Sequence, residues 1–260
     1  MSEAEPSRPR PRVWRSPVWA VLAWHEIRFR YRRSTLGPWW ITIATAIFVV
    51  FVGTVYARLL QQPVLSMVLY ISAGFILWQF FSACLSDASS LFHMNRELLL
   101  NTQTTPLMLL LRTFSFNLFI LAHNFPIYLV LVAITGGLAL SSLAMILPGL
   151  LLFLASTFAL MTIFAIFGAR FMDVPAMVPP VLQVMFLITP IMWRLEFLAD
   201  FATYQYLNPL HHIIAVARDP MVGSIPTTLT LGIMATSTVI LAWFAWSVYA
   251  KNHQRLIYWL

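Results

Sequence analysis

The sequence predicts an all-α polytopic membrane protein: six transmembrane helices, preceded by an N-terminal interfacial helix. Three observations carry that fold class. Of the 260 residues, 60% are apolar and only 10% charged, and the mean hydropathy is +0.80. A soluble domain has about 25% charged and 45–50% apolar residues, and so many apolar side chains cannot all hide in one soluble core of this size. Six stretches reach or approach the ~20 apolar residues that cross ~30 Å of hydrocarbon. The net charge of +7 is also uneven, with eight of the fifteen arginines before residue 39. A soluble globular protein, a disordered chain and a disulfide scaffold are excluded. The one cysteine, Cys84, has no intrachain partner.

Residues 1–16 open with MSEAEPSRPRPR, a Pro- and Arg-rich run that buries little and is expected to be a disordered tail. No signal peptide is expected, because no short apolar region with a small-residue cleavage site follows it. Residues 17–36 are helical in character, with Val18, Val21, Leu22, His25 and Phe29 on one side and Trp24, Ile27 and Tyr31 elsewhere. Arginines interleaved with aromatics beside a span suit a helix lying in the headgroup layer, where Trp and Tyr are favoured and Arg snorkels. Its partner is anionic lipid rather than nucleic acid.

The spans are expected at about 39–57, 64–85, 107–134, 143–168, 176–193 and 228–250. The third carries Arg112, Asn117, His123 and Asn124; the fifth is short and holds Pro179, Pro180 and Pro190. Between the last two lies 194–227, apolar yet broken by Pro209, Pro220 and Pro226. With the N-terminus in the cytoplasm, thirteen basic residues fall on cytoplasmic segments, against Arg58, Arg194 and Arg218 outside. The positive-inside rule therefore places both termini in the cytoplasm.

Missing chemistry narrows the function. A phosphate-cradling P-loop needs a lysine after a glycine-rich turn; the single lysine, Lys251, ends the last span. The chain is thus not an ATPase. No Asp or Glu is expected near mid-span, where ion-coupled carriers usually keep one. For an intramembrane enzyme the candidates are His93, His123 and the pair His211–His212 near Asp219. Adjacent histidines point to different faces of a helix, and no GxSxG, HExxH or paired-carboxylate spacing is present. No metal is expected.

Residues 28–40 read RFRYRRSTLGPWW. This run resembles the first-span signature of type-2 ABC exporter permeases, especially the bacterial exporters of O-antigen, capsule and teichoic acid. It is carried here by Arg30, Tyr31, Ser34, Leu36, Gly37, Pro38 and Trp40. Further matches follow in order: ARFMDVP at 169–175, LQVMFLITPIMW at 182–193, LNPL at 207–210 and IYWL at the C-terminus.

The resemblance implies a homodimer of six-span subunits with two separate nucleotide-binding ATPase subunits, which would hold the ATP and Mg²⁺; this chain would carry no cofactor. It implies a cytoplasmic coupling helix at 87–105, with Asp87, Phe92, His93, Asn95, Arg96 and Glu97 as ATPase contacts, Asp87 or Ser89 as its cap, and Pro106 restarting the chain into span three. It also implies that 194–227 forms periplasmic re-entrant helices. That segment is too apolar for an open loop and too Pro-broken for two spans, and irregular backbone is tolerated at membrane depth when buried in protein.

The implied cargo is a polyprenyl-diphosphate-linked glycan crossing the bacterial inner membrane. Arg28, Arg30, Tyr31, Arg32 and Arg33 would meet its diphosphate, which suits bidentate guanidinium contacts. Trp39, Trp40, Tyr70, Phe75, Trp78 and Trp193 would offer apolar faces to passing sugar rings. Two alternatives stay open: a type-2 exporter of a small lipid or drug, and a membrane-embedded glycosyl- or acyltransferase.

Overall fold

The structure is a computed structural model that describes residues 18–30, 37, 39–102, 104–194 and 206–260. The expected tail at 1–16 lies outside these residues. Among those described there are helices and no strands. In chain order they are α1 (Val18–Arg30), α2 (Trp39–Leu59), α3 (Val64–Met94), α4 (Arg96–Asn101), α5 (Pro106–Thr135), α6 (Leu140–Arg170), α7 (Val174–Ile188), α8 (Pro209–Met221), α9 (Thr228–Asn252) and α10 (Leu256–Trp259). Five of these, α2, α3, α5, α6 and α9, are long and apolar enough to cross a membrane.

The fifth expected span is the exception. The helix α7 has 15 residues, about 22 Å at the usual rise and short of the hydrocarbon thickness. It was expected to run to 193, but it stops at Ile188 because Pro190 cannot donate to the ladder and biases the residue before it away from the helix. The bends at 190–193 that replace its last turn leave main-chain carbonyls free to accept bonds from other elements.

The second expected span also differs. Instead of ending at 85 before a separate helix at 87–105, α3 continues unbroken to Met94. No Gly or Pro interrupts 86–94, and the serines there bond back to their own helix rather than capping a new one. Ser89 Oγ donates to the Ser86 carbonyl at 2.7 Å and Ser90 Oγ to the Asp87 carbonyl at 3.5 Å. Neither Asp87 nor Ser89 is a cap. The break comes at Asn95, whose side chain donates to the Leu91 carbonyl at 2.8 Å; only the six-residue α4 stands apart. Pro106 does start α5, with Thr105 Oγ1 accepting from the Met108 amide at 3.3 Å.

The helix α3 is the hub of the bundle, packed by α2, α5, α6, α7 and α8. Its core is lined by Ile76, Leu77, Phe80, Phe81 and Cys84, facing Leu110, Phe153 and Met161 from α5 and α6. Such apolar surfaces gain no hydrophobic drive from lipid, so close backbone approach and interhelical hydrogen bonds hold the helices together. A Cβ on Gly168 of α6 would run into the Ser89 carbonyl of α3, and one on Gly149 into the Val216 carbonyl of α8.

Within the expected 194–227 segment, residues 195–205 lie outside the description, and one 13-residue helix, α8, follows them. Asn208 Oδ1 caps it by accepting from the Leu210 amide at 3.0 Å. It is buried on nearly every side, against α3, α6 and α9. Its one cation, Arg218, is 4% exposed. The guanidinium donates to Asp219 Oδ1 at 2.8 and 3.0 Å and to the Pro190 carbonyl at 2.6 Å, using a carbonyl that the early end of α7 released.

Candidate functional site

The two ends of the bundle differ in kind. At one end the chain gathers α1, α4 and α10 with Arg96, Arg112, Arg170, Lys251 and Arg255; the other holds α8 with Arg194 and Arg218. Contacts between helices establish this grouping. His93 Nε2, near the end of α3, donates to the Gly168 carbonyl near the end of α6 at 3.0 Å. The Arg170 guanidinium lies 5.5 Å from the Trp259 ring of α10. Tyr128, toward the far end of α5, donates to the Met221 carbonyl of α8 at 2.8 Å.

The basic end is built around Arg112, placed two turns into α5. Its Nε faces Glu26 Oε2 of α1 at 3.3 Å, and its Nη2 donates to Asn95 Oδ1, at the α3–α4 junction, at 3.3 Å. One guanidinium thus ties the first helix, the α3–α4 break and span α5 together. A cavity of about 190 Å³ lies beside it, lined by Glu26, Asp87, Ser90, Asn95, Arg112 and Thr113. Asp87 Oδ2 accepts from Asn117 Nδ2 at 2.9 Å. This carboxylate therefore serves the α3–α5 contact rather than a helix start.

Deeper in the bundle a second polar layer joins α2, α3 and α5. Gln79 Oε1 accepts from Asn124 Nδ2 at 3.3 Å and from Thr45 Oγ1 at 3.4 Å, and Thr42 Oγ1 donates to the His123 carbonyl at 2.9 Å. Bonds of this type across membrane helices contribute about 0.6 kcal/mol each on average, with a maximum near 1.7. Asn117→Ala is accordingly expected to cost about 1 kcal/mol, read as a lower unfolding temperature of the purified subunit in mild detergent.

On α1, Ala23 is fully buried against Phe116 of α5, while Val21, Leu22 and His25 are exposed. At the other end of the linker, Gly37 adopts φ +56°, the left-handed region that costs a side-chain-bearing residue energy. The Trp40 amide then reaches the Gly37 carbonyl at 3.4 Å as α2 begins.

The expected site residues separate into groups. Arg28 and Arg30 fall in the last turn of α1, whereas Tyr31, Arg32 and Arg33 lie outside the described residues. Among the expected coupling residues, Arg96 and Glu97 are exposed on α4 and follow Met94, which is 81% exposed. Phe92 is instead packed in the core, so it anchors the end of α3 and offers no surface.

Among the aromatics expected to face sugar rings, Trp39 and Trp40 are 53% and 59% exposed. Tyr70 and Trp78 are buried within the chain itself. Phe75 is stacked on Phe48 at 4.3 Å and also meets Phe186, which contacts Trp78. Trp193 is partly buried, and its carbonyl lies 3.3 Å from the Tyr70 hydroxyl.

Both ring nitrogens of His212 are engaged within the chain. His212 Nε2 donates to the Tyr206 carbonyl at 2.9 Å, which leaves Nδ1 to accept from Thr230 Oγ1 at 3.2 Å. No cluster of three metal-binding side chains occurs among the described residues. Sequence reasoning missed Arg218 and Arg112 as anchors. Their signal was an arginine within an otherwise apolar run, where a charge must find partners.

The described residues form a multi-pass helical bundle with one basic end and, at the other, a buried helix, α8. A family model described as ABC-2 type transporter matches residues 17–222. The chain belongs to that family, as the membrane-spanning subunit of a type-2 ABC exporter. It is also similar to the O-antigen export system permease protein RfbA of Myxococcus xanthus, at 22% identity over 237 residues, covering 90% of this chain and 91% of that protein.

Proposed function

We propose that this subunit exports a polyprenyl-diphosphate-linked polysaccharide across the bacterial inner membrane, with both termini in the cytoplasm. It works as a homodimer with two ATPase subunits, which bind the ATP and Mg²⁺. The observation that carries this reading is the Arg112 junction, where one guanidinium joins α1, the α3–α4 break and α5. An ATPase pressing on Met94, Arg96 and Glu97 would move α4, and the Asn95–Arg112–Glu26 chain would pass that displacement to the Arg-rich helix α1. Coupling of this kind requires a contiguous element that both sites bias.

The glycan cargo is supported by the name of the Myxococcus relative and by the chemistry of the arginine run at 28–33, which matches a diphosphate. Trp39 and Trp40, exposed where α2 begins, are the aromatics that remain open to a sugar chain. The test purifies the subunit with its cognate ATPase in nanodiscs and measures hydrolysis with and without lipid-linked glycan. Hydrolysis stimulated by the glycan is expected. Stimulation by a short lipid alone would instead identify a small-lipid exporter, and glycosyl transfer by the subunit without its ATPase would identify an enzyme. Replacing Arg30 and Arg33 together with Gln should lower glycan-stimulated turnover about tenfold, the weight of one charge-assisted bond or more, with assembly intact.

A further inference from the structure

The buried outer end holds a polar cavity of about 250 Å³ that the transport reading leaves without a role. Its lining includes Tyr70, Arg194, Tyr206, His211, Arg218 and Asp219. Two guanidiniums converge on one ring, with the Arg218 carbon 4.5 Å and the Arg194 carbon 5.0 Å from the Tyr70 centroid. They are therefore within about 10 Å of each other, a separation at which partly buried charges are little screened. Among the described residues the carboxylate at the cavity is Asp219, which is committed to Arg218 through a single oxygen accepting two bonds. Among the described residues no carboxylate lies within ion-pair distance of Arg194. Among the described residues the cavity thus carries one more positive than negative charge, and an anion paired there with a partly buried guanidinium is worth more than in bulk water.

Two further observations point to a ligand. His211 is 3% exposed and lines this cavity, yet its Nδ1 has no hydrogen-bond partner. A buried polar atom of this kind costs about 1–3 kcal/mol unless something satisfies it. Tyr206 also lines the cavity with an aromatic ring that is 37% exposed. The volume is several times the ~30 Å³ share of one water and lies just under the range of ~300–1,000 Å³ for drug-sized ligands. It fits one sugar ring at a time.

We propose that this cavity binds a single sugar unit bearing one anionic group, carboxylate or phosphate. Arg194 pairs with the anion, His211 Nδ1 bonds a hydroxyl and Tyr206 stacks against the ring. The sugar identity rests on the glycan-export reading. The site would hold each acidic unit of the polymer weakly as it leaves the bundle, in the way that multi-site passage requires binding favourable enough to enter and weak enough to leave.

The test uses the full-length subunit in phosphatidylcholine nanodiscs and saturation-transfer NMR with methyl glucuronide, methyl glucoside and glycerol 3-phosphate as probes. Methyl glucuronide is expected to bind about tenfold more tightly than the neutral glucoside. Arg194→Gln should remove that preference and Arg194→Lys should keep part of it. Equal binding of the two glycosides, or no binding by either, overturns the site; this comparison on the unaltered protein decides the matter even if the variants fold poorly. Binding of glycerol 3-phosphate alone assigns the cavity to a lipid headgroup and overturns the sugar assignment. The readout is independent of the ATPase. Charge-selective binding without glycan-stimulated hydrolysis removes the exporter reading and leaves the site, and the converse result removes only the site.

Discussion

Gly149→Val is expected to unseat α8 and loosen the end of the bundle that holds it. The backbone of α8 passes so close to Gly149 that the added Cβ would collide with the Val216 carbonyl. Overpacking costs about 1–3 kcal/mol where flexible side chains can yield. Here a main-chain carbonyl must move, and α8 is held on its other sides by Arg218 and by the Tyr128–Met221 bond. The penalty should therefore reach ~3 kcal/mol or more, with relief only by partial release of the helix. Cys84 reads the resulting loss of stability through global opening, because this lone thiol is fully buried in the core. Its maleimide labelling rate should rise about a hundredfold, following the population of opened molecules. Gly232→Val is the control: a Cβ there meets nothing within 4 Å, and labelling should stay close to that of the unaltered protein.

Asp219→Ala is the second large effect. Removing the carboxylate leaves the Arg218 charge buried with the Pro190 carbonyl and the Tyr70 ring as its remaining partners. Breaking a buried pair on one side typically costs about 3–5 kcal/mol, whereas replacing both members with apolar groups is often neutral. Because the Pro190 bond survives, the loss in Asp219→Ala should fall near the lower bound, ~3 kcal/mol. Asp219→Asn keeps an acceptor and should lose less. The double variant Arg218→Met with Asp219→Ala should recover much of the loss. Thermal unfolding in detergent, with Cys84 labelling in parallel, measures all three. A double variant as unstable as Asp219→Ala would show that the pair itself, rather than the uncompensated cation, holds α8 in place.

Two helix starts that were legible from sequence carry local signals. Pro106 with Thr105 starts α5, and Thr227, whose hydroxyl accepts from the Thr230 amide at 3.2 Å, starts α9. Where composition alone marked a boundary, as between apolar Leu85 and polar Asp87, the expected end of α3 was misplaced by nine residues. Polarity changes where a helix leaves the membrane, but a helix breaks only where its backbone bonds fail. Pro190 gave the opposite error, because an apolar count carried the fifth span past a residue that ends it.

The candidate site was legible to a similar degree. Of the expected site residues, Arg96, Glu97, Trp39 and Trp40 are exposed, as their residue types in those stretches suggested. The contacts of Asp87, Tyr70 and Trp78 were not legible because their partners, Asn117, Arg218 and Phe186, lie 30, 148 and 108 positions away, beyond any local pattern.

By itself the sequence determined the solvent of this protein, the helical class and the charge asymmetry between its ends, since these follow from the totals and spacing of apolar and basic side chains. Only the tertiary structure decided which polar groups meet: Arg112 with Glu26 and Asn95, Arg218 with the carbonyl released at Pro190, and Gly149 beneath the backbone of α8. The physical reason is that transfer from water to lipid depends on each side chain's own chemistry, whereas a hydrogen bond or a close backbone approach exists only when two distant segments are brought to the same place.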